Sequence, residues 1–170
     1  VPMSGDVTRI DGTTQLLMAE TGRVIDYALG LPGVDGRVAL LGHSMASDVI
    51  VRQTLADPRV SATVAISMFS QAVTADVPTR LIAISGGWEA VLRAEALRVL
   101  HLVDPSIEEG QTAQSGEVTR RAVAAPNVEH LGVLYARTSL REARDWLDRT
   151  YGRNAQTRLA TTGGWIALLL

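Results

Sequence analysis

Hydrophobic residues along this chain follow two different spacings. Between residues 14 and 29 they recur at helical spacing, and the apolar stripe of this predicted helix consists of Leu17, Val24, Ile25 and Ala28. Three later segments are almost continuously apolar, at residues 38–41, 62–67 and 81–84, and a fourth predicted strand, at residues 118–125, is apolar apart from Thr119, Arg120 and Arg121. Such runs are typical of strands that are covered on both faces of a sheet.

Segments with a helical pattern separate these strands. We predict helices at residues 45–56 and 89–101, and a final helix that begins at Ser139 with a capping box formed by Ser139 and Glu142. Residues 104–117 are polar and are predicted to form a loop. Strands that alternate with helices predict an α/β fold with a mainly parallel sheet flanked by helices.

The composition narrows the function classes. The chain has 170 residues, which fits one domain, and its formal net charge is −2. Scattered arginines and few aromatic residues argue against a nucleic-acid partner, and Arg120 and Arg121 are interpreted as a solvated pair. Cysteine is absent, which excludes disulfides and thiolate metal sites. No metal-binding or nucleotide-binding motif is found, so no cofactor is predicted.

Three predicted strands are followed by residues that can carry chemistry. Ser44 follows the first strand, Glu89 follows the third, and His130 follows the fourth. The carboxyl ends of parallel strands meet at one edge of the sheet, where ligands of α/β folds bind. A serine hydroxyl becomes a nucleophile when a histidine takes its proton, and a carboxylate orients that histidine. The three residues therefore predict a nucleophilic serine site.

The residues around these positions resemble motifs of the α/β-hydrolase superfamily. Residues 42–46, Gly-His-Ser-Met-Ala, are similar to its nucleophile elbow. Residues 86–89 resemble the acid-bearing segment after its seventh strand, and residues 129–131 resemble its catalytic-histidine loop. The resemblance extends over about residues 14–152.

This resemblance implies an activity and assigns roles within it. Ser44 is implied as the nucleophile, Glu89 as the acid and His130 as the base. The expected reaction is hydrolysis of a carboxylic ester, or of a related acyl bond in a small molecule, through an acyl-serine intermediate. Because the Met45 N–H lies at a helix N-terminus, we expect it to contribute to the oxyanion hole. Peptidase or acyltransferase activity would use the same triad.

Each of these roles has a structural alternative. Ser44 could simply cap a helix, and His130 could be a loop histidine with no catalytic task. Glu89 could be a carboxylate that faces a helix dipole. Asp104 and Glu129 are rival acids, although Asp104 lies beyond a full helix and Glu129 is adjacent to the histidine.

Four further residues are candidates for substrate binding: His43, Met68, Phe69 and Trp88. His43 is interpreted as structural or pocket-lining. Met68 and Phe69 follow the second strand and either line an acyl pocket or pack in the core. Trp88 either shields the acid–base pair or covers the core. His101 lies at a helix end, where a cationic imidazole is favourable, and no catalytic role is expected for it.

The sequence departs from the family pattern in two places. Ala46 stands where the family most often has glycine, and the first strands of the family's fold have no counterpart. Residues 38–41 would therefore form an edge strand, although natural edges avoid wholly apolar sequences. We accordingly expect the chain to be a fragment of a longer protein. The short segment between the second and third strands leaves no room for a lid, so we expect an open site.

We interpret residues 1–153 as a partial α/β-hydrolase domain and residues 154–170 as a tail. The tail ends in an apolar run, which is a candidate for the start of a membrane segment. We therefore expect a cytoplasmic or membrane-associated protein, and the start of the chain has no signal-peptide pattern. The open sheet edge is a candidate for pairing with a second copy. The alternative to an enzyme is a non-catalytic, hydrolase-like module that binds a partner or a membrane.

Overall fold

The structure is a computed structural model that describes residues 12–154 and residue 159. Within these residues the chain forms four α-helices, five strands and one short 3₁₀ helix. In chain order the helices and strands are α1 (Gly12–Leu29), β1 (Val38–His43), α2 (Met45–Ala56), β2 (Val60–Ile66), β3 (Arg80–Gly86), α3 (Ala90–His101), β4 (Thr112–Ser115), β5 (Val118–Ala125), the 3₁₀ helix (Gly132–Leu134) and α4 (Arg137–Tyr151).

The five strands form one sheet in the order β1-β2-β3-β5-β4. β1, β2, β3 and β5 run parallel, and only β4 runs antiparallel to its neighbour β5. The prediction of an α/β fold with a mainly parallel sheet is therefore confirmed. β1 lies at one edge of the sheet, as its predicted position required, and Leu41 on it is exposed.

The predicted loop at residues 104–117 is wrong in part, because it contains β4. This strand pairs with β5 through a tight turn at Gly116, whose φ is 55°. Only Ala113 of the strand is buried, and the other three positions are exposed and polar. A strand with a single apolar position carries no hydrophobic pattern, so the sequence predicted four strands, whereas the described residues form five.

The core lies on both faces of the sheet. On one face, Leu81 and Ala83 of β3 pack with Val99 and Leu100 of α3. On the other face, Ile82 and Ile84 of the same strand pack with Trp146 of α4. Successive side chains of a strand point to opposite faces, so a strand covered on both sides must be apolar at every position. The uninterrupted apolar runs in the sequence have this cause.

The predicted stripe of α1 is only partly buried. Ile25 is buried, whereas Leu17 and Val24 are exposed when only the described residues are considered. α1 is linked to the start of β2 by an ion pair, in which Arg59 donates to Asp26 at 2.8 Å. The helix itself was predicted correctly, but most of its apolar residues are exposed or only half-buried.

The predicted capping box of the last helix is wrong. α4 begins at Arg137, and its N-cap residue, Ala136, offers no side-chain hydrogen bond. Ser139 is buried in the first turn, and its Oγ has no partner among the described residues. Glu142 instead accepts a hydrogen bond from Arg121 Nε at 2.9 Å. The ion pair with β5 holds the Glu142 carboxylate on the sheet, away from the helix N-terminus.

The interpretation of Arg120 and Arg121 as a solvated pair is also wrong. Arg120 is fully buried on the α3 side of the sheet, and its guanidinium donates to the carbonyls of Pro78, Val99 and Thr74. Arg121 points to the opposite face. Adjacent residues of a strand alternate between faces, so the two side chains have different environments.

No helix within the described residues is long and apolar enough to cross a membrane. The apolar tail predicted to begin a membrane segment lies almost entirely outside the described residues.

Candidate active site

Ser44 occupies the sharp turn between β1 and α2. Its backbone has φ 56° and ψ −125°, a conformation that L-residues rarely adopt. The Ser44 N–H donates to Ile66 O at 2.9 Å, which ties the turn to the end of β2. The Ser44 carbonyl accepts from the N–H and the hydroxyl of Ser47. These bonds hold the strained backbone and leave the half-buried Ser44 side chain at the edge of the sheet.

Gly42 is the residue that allows this turn. A Cβ at Gly42 would lie 2.8 Å from the carbonyl oxygen of Ala46 and 3.1 Å from Cδ1 of Ile50. A side chain there would therefore collide with the first turn of α2. Ala46 itself is exposed, so the methyl group at this departure from the family pattern is accommodated.

His130 lies in the loop after β5. Glu129 shapes this loop by accepting hydrogen bonds from the N–H groups of Leu131 and Gly132, both at 2.7 Å. The Trp88 N–H donates to Val128 O at 3.1 Å, which joins the loop to the one after β3. The contacts bring the histidine loop against the segment that carries Glu89.

The structure brings the three predicted residues into one chain of hydrogen bonds. Ser44 Oγ lies 2.9 Å from His130 Nε2, and His130 Nδ1 lies 2.5 Å from Glu89 Oε1. The His130 side chain is 42% exposed, whereas the Glu89 side chain is only 6% exposed. The imidazole is therefore open to solvent beside the serine, and the carboxylate is enclosed behind it.

The Glu89 carboxylate is ionised at neutral pH. Burial raises its pKa, but hydrogen bonds from Ser67, from the Gly86 N–H and from His130 outweigh burial, so the pKa lies below its ordinary value. Since an ionised carboxylate only accepts, the proton in the Glu89–His130 bond belongs to Nδ1. Nε2 of the neutral imidazole then has a lone pair facing the Ser44 hydroxyl.

His43 contacts His130 directly. Its Nε2–H donates to the His130 carbonyl at 2.8 Å, and the two ring centroids are 4.5 Å apart. These contacts agree with the interpretation of His43 as a structural residue, because the His43 side chain supports the backbone and the ring of His130.

The other predicted substrate-binding residues differ in position. Met68 is 1% exposed and packs in the core with residues of β3 and α3, as the packing alternative describes. Phe69 beside it is half-buried. Trp88 is 68% exposed, so it does not cover the core. Met45 presents an exposed side chain, and its N–H is at the first position of α2, where backbone N–H groups lack intrahelical acceptors.

The rival acids make contacts elsewhere. Asp104 is half-buried and accepts hydrogen bonds from the N–H and hydroxyl of Ser106. Glu129 binds the backbone of its own loop, as described above. His101 lies against Ile107 O at 3.0 Å, at the end of α3.

One contact of the site was missed by sequence reasoning. Ser67 Oγ donates to Glu89 Oε2 at 2.6 Å, and its residue follows β2 directly. Ser67 is the last residue of the strand predicted at residues 62–67, and its place at a strand end was the available signal. No group of three histidine or acidic side chains within the described residues is arranged to hold a metal ion.

Comparison with known proteins gives a likeness to a solved structure. Neither a protein-family model nor a curated protein matches this chain. The solved structure of a glucuronoyl esterase from Solibacter usitatus matches with a TM-score of 0.53 at 13% sequence identity. The match covers 79% of this chain and 48% of the esterase chain, so this chain spans about half of the length of that protein. At this identity the likeness shows the fold alone, which is α/β-hydrolase-like.

Proposed function

We propose that this chain is a serine hydrolase that cleaves a carboxylic ester through an acyl-Ser44 intermediate. The observation that carries the proposal is the continuous hydrogen-bonded path from Ser44 Oγ through the His130 ring to Glu89. These three side chains come from separate loops at the carboxyl edge of the sheet, where α/β folds bind ligands.

The path supports general-base activation of Ser44. His130 Nε2 takes the hydroxyl proton as Oγ attacks the ester carbonyl, and a tetrahedral oxyanion forms. The ionised Glu89 stabilises the imidazolium that results. Nε2 then returns the proton to the leaving alcohol as the carbon–oxygen bond breaks. In the second half of the cycle, His130 deprotonates water, which attacks the acyl-serine, and the acid is released as Ser44 regains its proton.

The turn at Ser44 supplies part of the electrostatic stabilisation. The start of α2 at Met45 supports a role for the Met45 N–H as a donor to the oxyanion, because the positive end of the helix dipole favours negative charge there. The strained backbone of Ser44 and the close approach of Gly42 to α2 support the proposal that this turn is a nucleophile elbow.

The likeness to a glucuronoyl esterase favours ester hydrolysis among the acyl-transfer reactions. We therefore propose an ester as the substrate class. The matched esterase is about twice the length of the matched segment, so the proposal concerns the bond cleaved rather than the alcohol or acid that flanks it.

The first test is covalent labelling of the chain with a fluorophosphonate, read by intact mass and peptide mapping. We expect one adduct, on Ser44, and none on the Ser44→Ala variant. With a short p-nitrophenyl ester, Ser44→Ala should lower turnover by about 10⁴-fold or more, because the triad acts as a unit.

Ser106→Ala is the matched control, since Ser106 is an exposed serine whose hydroxyl binds Asp104 rather than a histidine. It should label and turn over like the unmodified chain. Absence of an adduct on Ser44 in the unmodified chain would favour the alternative of a non-catalytic, hydrolase-like module. An equal adduct on Ser44→Ala would show that another residue reacts.

A further inference from the structure

Ser67 is a second serine at the edge of the sheet, and its backbone is held in an unusual conformation. The residue follows β2, is 1% exposed and has φ 48°. Its N–H donates to Ile84 O at 2.6 Å, which fixes the turn against β3. Left-handed backbone is unfavourable for a residue with a Cβ, so this turn is maintained by its surroundings.

The turn directs the Ser67 hydroxyl at the acid of the site. Ser67 Oγ donates to Glu89 Oε2 at 2.6 Å, and the Gly86 N–H donates to the same oxygen at 2.6 Å. Glu89 Oε1 is the oxygen that faces His130 Nδ1. The two carboxylate oxygens therefore have different partners. Oε2 accepts the hydrogen bonds that anchor the side chain, and Oε1 accepts the hydrogen bond from the imidazole.

This division determines the orientation of the carboxylate. A glutamate side chain has three rotatable bonds, and two donors on one oxygen restrict its rotation more than one donor does. Without Ser67, the Gly86 N–H would hold Oε2 by itself, and the bond between Oε1 and His130 would have to resist more of the rotation of the carboxylate. The hydroxyl of Ser67, which follows β2, adds the second fixed point from outside the segment between β3 and α3 that carries Glu89.

We propose that Ser67 is a positioning residue that holds Glu89 so that Oε1 faces His130. The inference rests on the proposed function, because it concerns the acid of the same triad. Ser67 does not contact the Ser44 hydroxyl or the reacting atoms. It acts through Glu89, and its loss should weaken the Glu89–His130 bond while the nucleophile and the base remain present.

The test compares Ser67→Ala with a matched control, Ser85→Ala. Ser85 lies on β3, is also 1% exposed, and its Oγ has no partner among the described residues. Both changes remove one buried hydroxyl, but only one of these hydroxyls binds Glu89. For Ser67→Ala we expect kcat to fall by about 10- to 100-fold with KM unchanged, the range for loss of a hydrogen bond to a charged group. Ser85→Ala should match the unmodified chain.

Proton NMR provides a readout that does not depend on turnover. The proton between His130 Nδ1 and Glu89 should give a resonance far downfield, and this resonance should move upfield or broaden in Ser67→Ala but not in Ser85→Ala. Ser67→Gly is the second variant, because glycine adopts φ 48° without strain and also lacks the hydroxyl. It should show the same losses even if Ser67→Ala folds poorly.

The outcomes separate the two proposals. Unchanged kcat and an unchanged resonance in Ser67→Gly would overturn the positioning role, even if Ser44 labels normally. Loss of stability in Ser67→Ala with recovery of both stability and kcat in Ser67→Gly would also overturn it, because the effect would then lie in the backbone. Absence of labelling at Ser44 in the unmodified chain would overturn the proposed function, whereas a resonance that depends on Ser67 would still support the positioning of Glu89.

Discussion

At the scale of single residues, the site depends on a glycine at which any side chain would collide with neighbouring backbone. Gly86 ends β3, and a Cβ on it would lie 2.6 Å from Val128 O and 3.1 Å from Glu129 O. Both contacts are with the backbone of the histidine loop, which cannot move aside as a flexible side chain can. Glycine at this position therefore permits the close approach of the loops that carry Glu89 and His130.

We predict that Gly86→Ala lowers the free energy of unfolding by about 1–3 kcal/mol and slows fluorophosphonate labelling of Ser44, because the histidine loop must shift. Urea denaturation and labelling kinetics measure the two effects. Gly22→Ala is the control, since the nearest atom to its Cβ is Gln53 Nε2 at 3.6 Å, an ordinary contact. In the middle of α1, alanine should stabilise the protein by about 0.5–1 kcal/mol. Shifts of the same sign in both variants would contradict this account.

At the scale of elements, Arg120 connects parts of the fold that the sheet does not join. It lies on β5, and its guanidinium reaches Val99 O near the end of α3 and the carbonyls of Thr74 and Pro78 in the segment before β3. Burial, with a further contribution from the charge of Arg98, lowers its pKa to about 10. The guanidinium thus remains charged at neutral pH, and backbone carbonyls replace the water that would solvate it.

Replacement of Arg120 by methionine should destabilise the protein by about 3 kcal/mol, because it leaves buried carbonyl oxygens without donors. The midpoint of urea denaturation measures this change. Arg23→Met is the control, since Arg23 forms only an exposed ion pair with Glu20 on α1 and should change stability by less than about 0.5 kcal/mol. Arg120→Met with unchanged stability would mean that burial of the charge costs as much as its hydrogen bonds contribute.

At the scale of the whole molecule, two enclosed carboxylates make the fold sensitive to acid. The hydrogen bond from Arg59 lowers the pKa of Asp57 below its ordinary 3.8. The pKa of Glu89 also lies below its ordinary 4.5, as described above. A carboxyl whose pKa is lower in the folded state stabilises the fold above its unfolded pKa, and this stabilisation is lost as the pH falls through the folded pKa.

We therefore predict that the urea midpoint is nearly constant from neutral pH to about pH 5 and falls steadily below that value. Asp57→Asn should be less stable at neutral pH and should lose less stability on acidification, because one of the two carboxylates is missing. A midpoint that stays level down to about pH 3, or a loss confined to the range near pH 6.5 where histidine titrates, would contradict the assignment to carboxylates.

Much of the architecture could be predicted because its signals are local. The bounds of α2 and β5 were predicted correctly, since the residue patterns that indicate a helix or a strand extend over a dozen residues or fewer. β4 was missed because pairing with β5, rather than its own residues, makes it a strand. The capping box was predicted from a local motif, but Glu142 pairs with Arg121 across the sheet.

The same distinction holds for the candidate site. Ser44, Glu89 and His130 could be proposed from their places after strands, since parallel strands bring such residues to one edge. Ser67 could not be separated from the strand before it, because its significance comes from a hydrogen bond to Glu89, 22 positions away. The burial of Met68 and the exposure of Trp88 were likewise left open by residue type, which permits either environment.

The amino-acid sequence by itself determined the order of the parallel strands and the helices, the edge of the sheet where the candidate site lies, and the residue types available there. Periodicity and strand ends are properties of neighbouring residues, so they can be identified without coordinates. Only the tertiary structure decided which side of β5 each arginine occupies, which oxygen of Glu89 faces His130, and which hydroxyl anchors the other oxygen. Those relations join residues distant in the chain, and packing alone brings them within bonding distance.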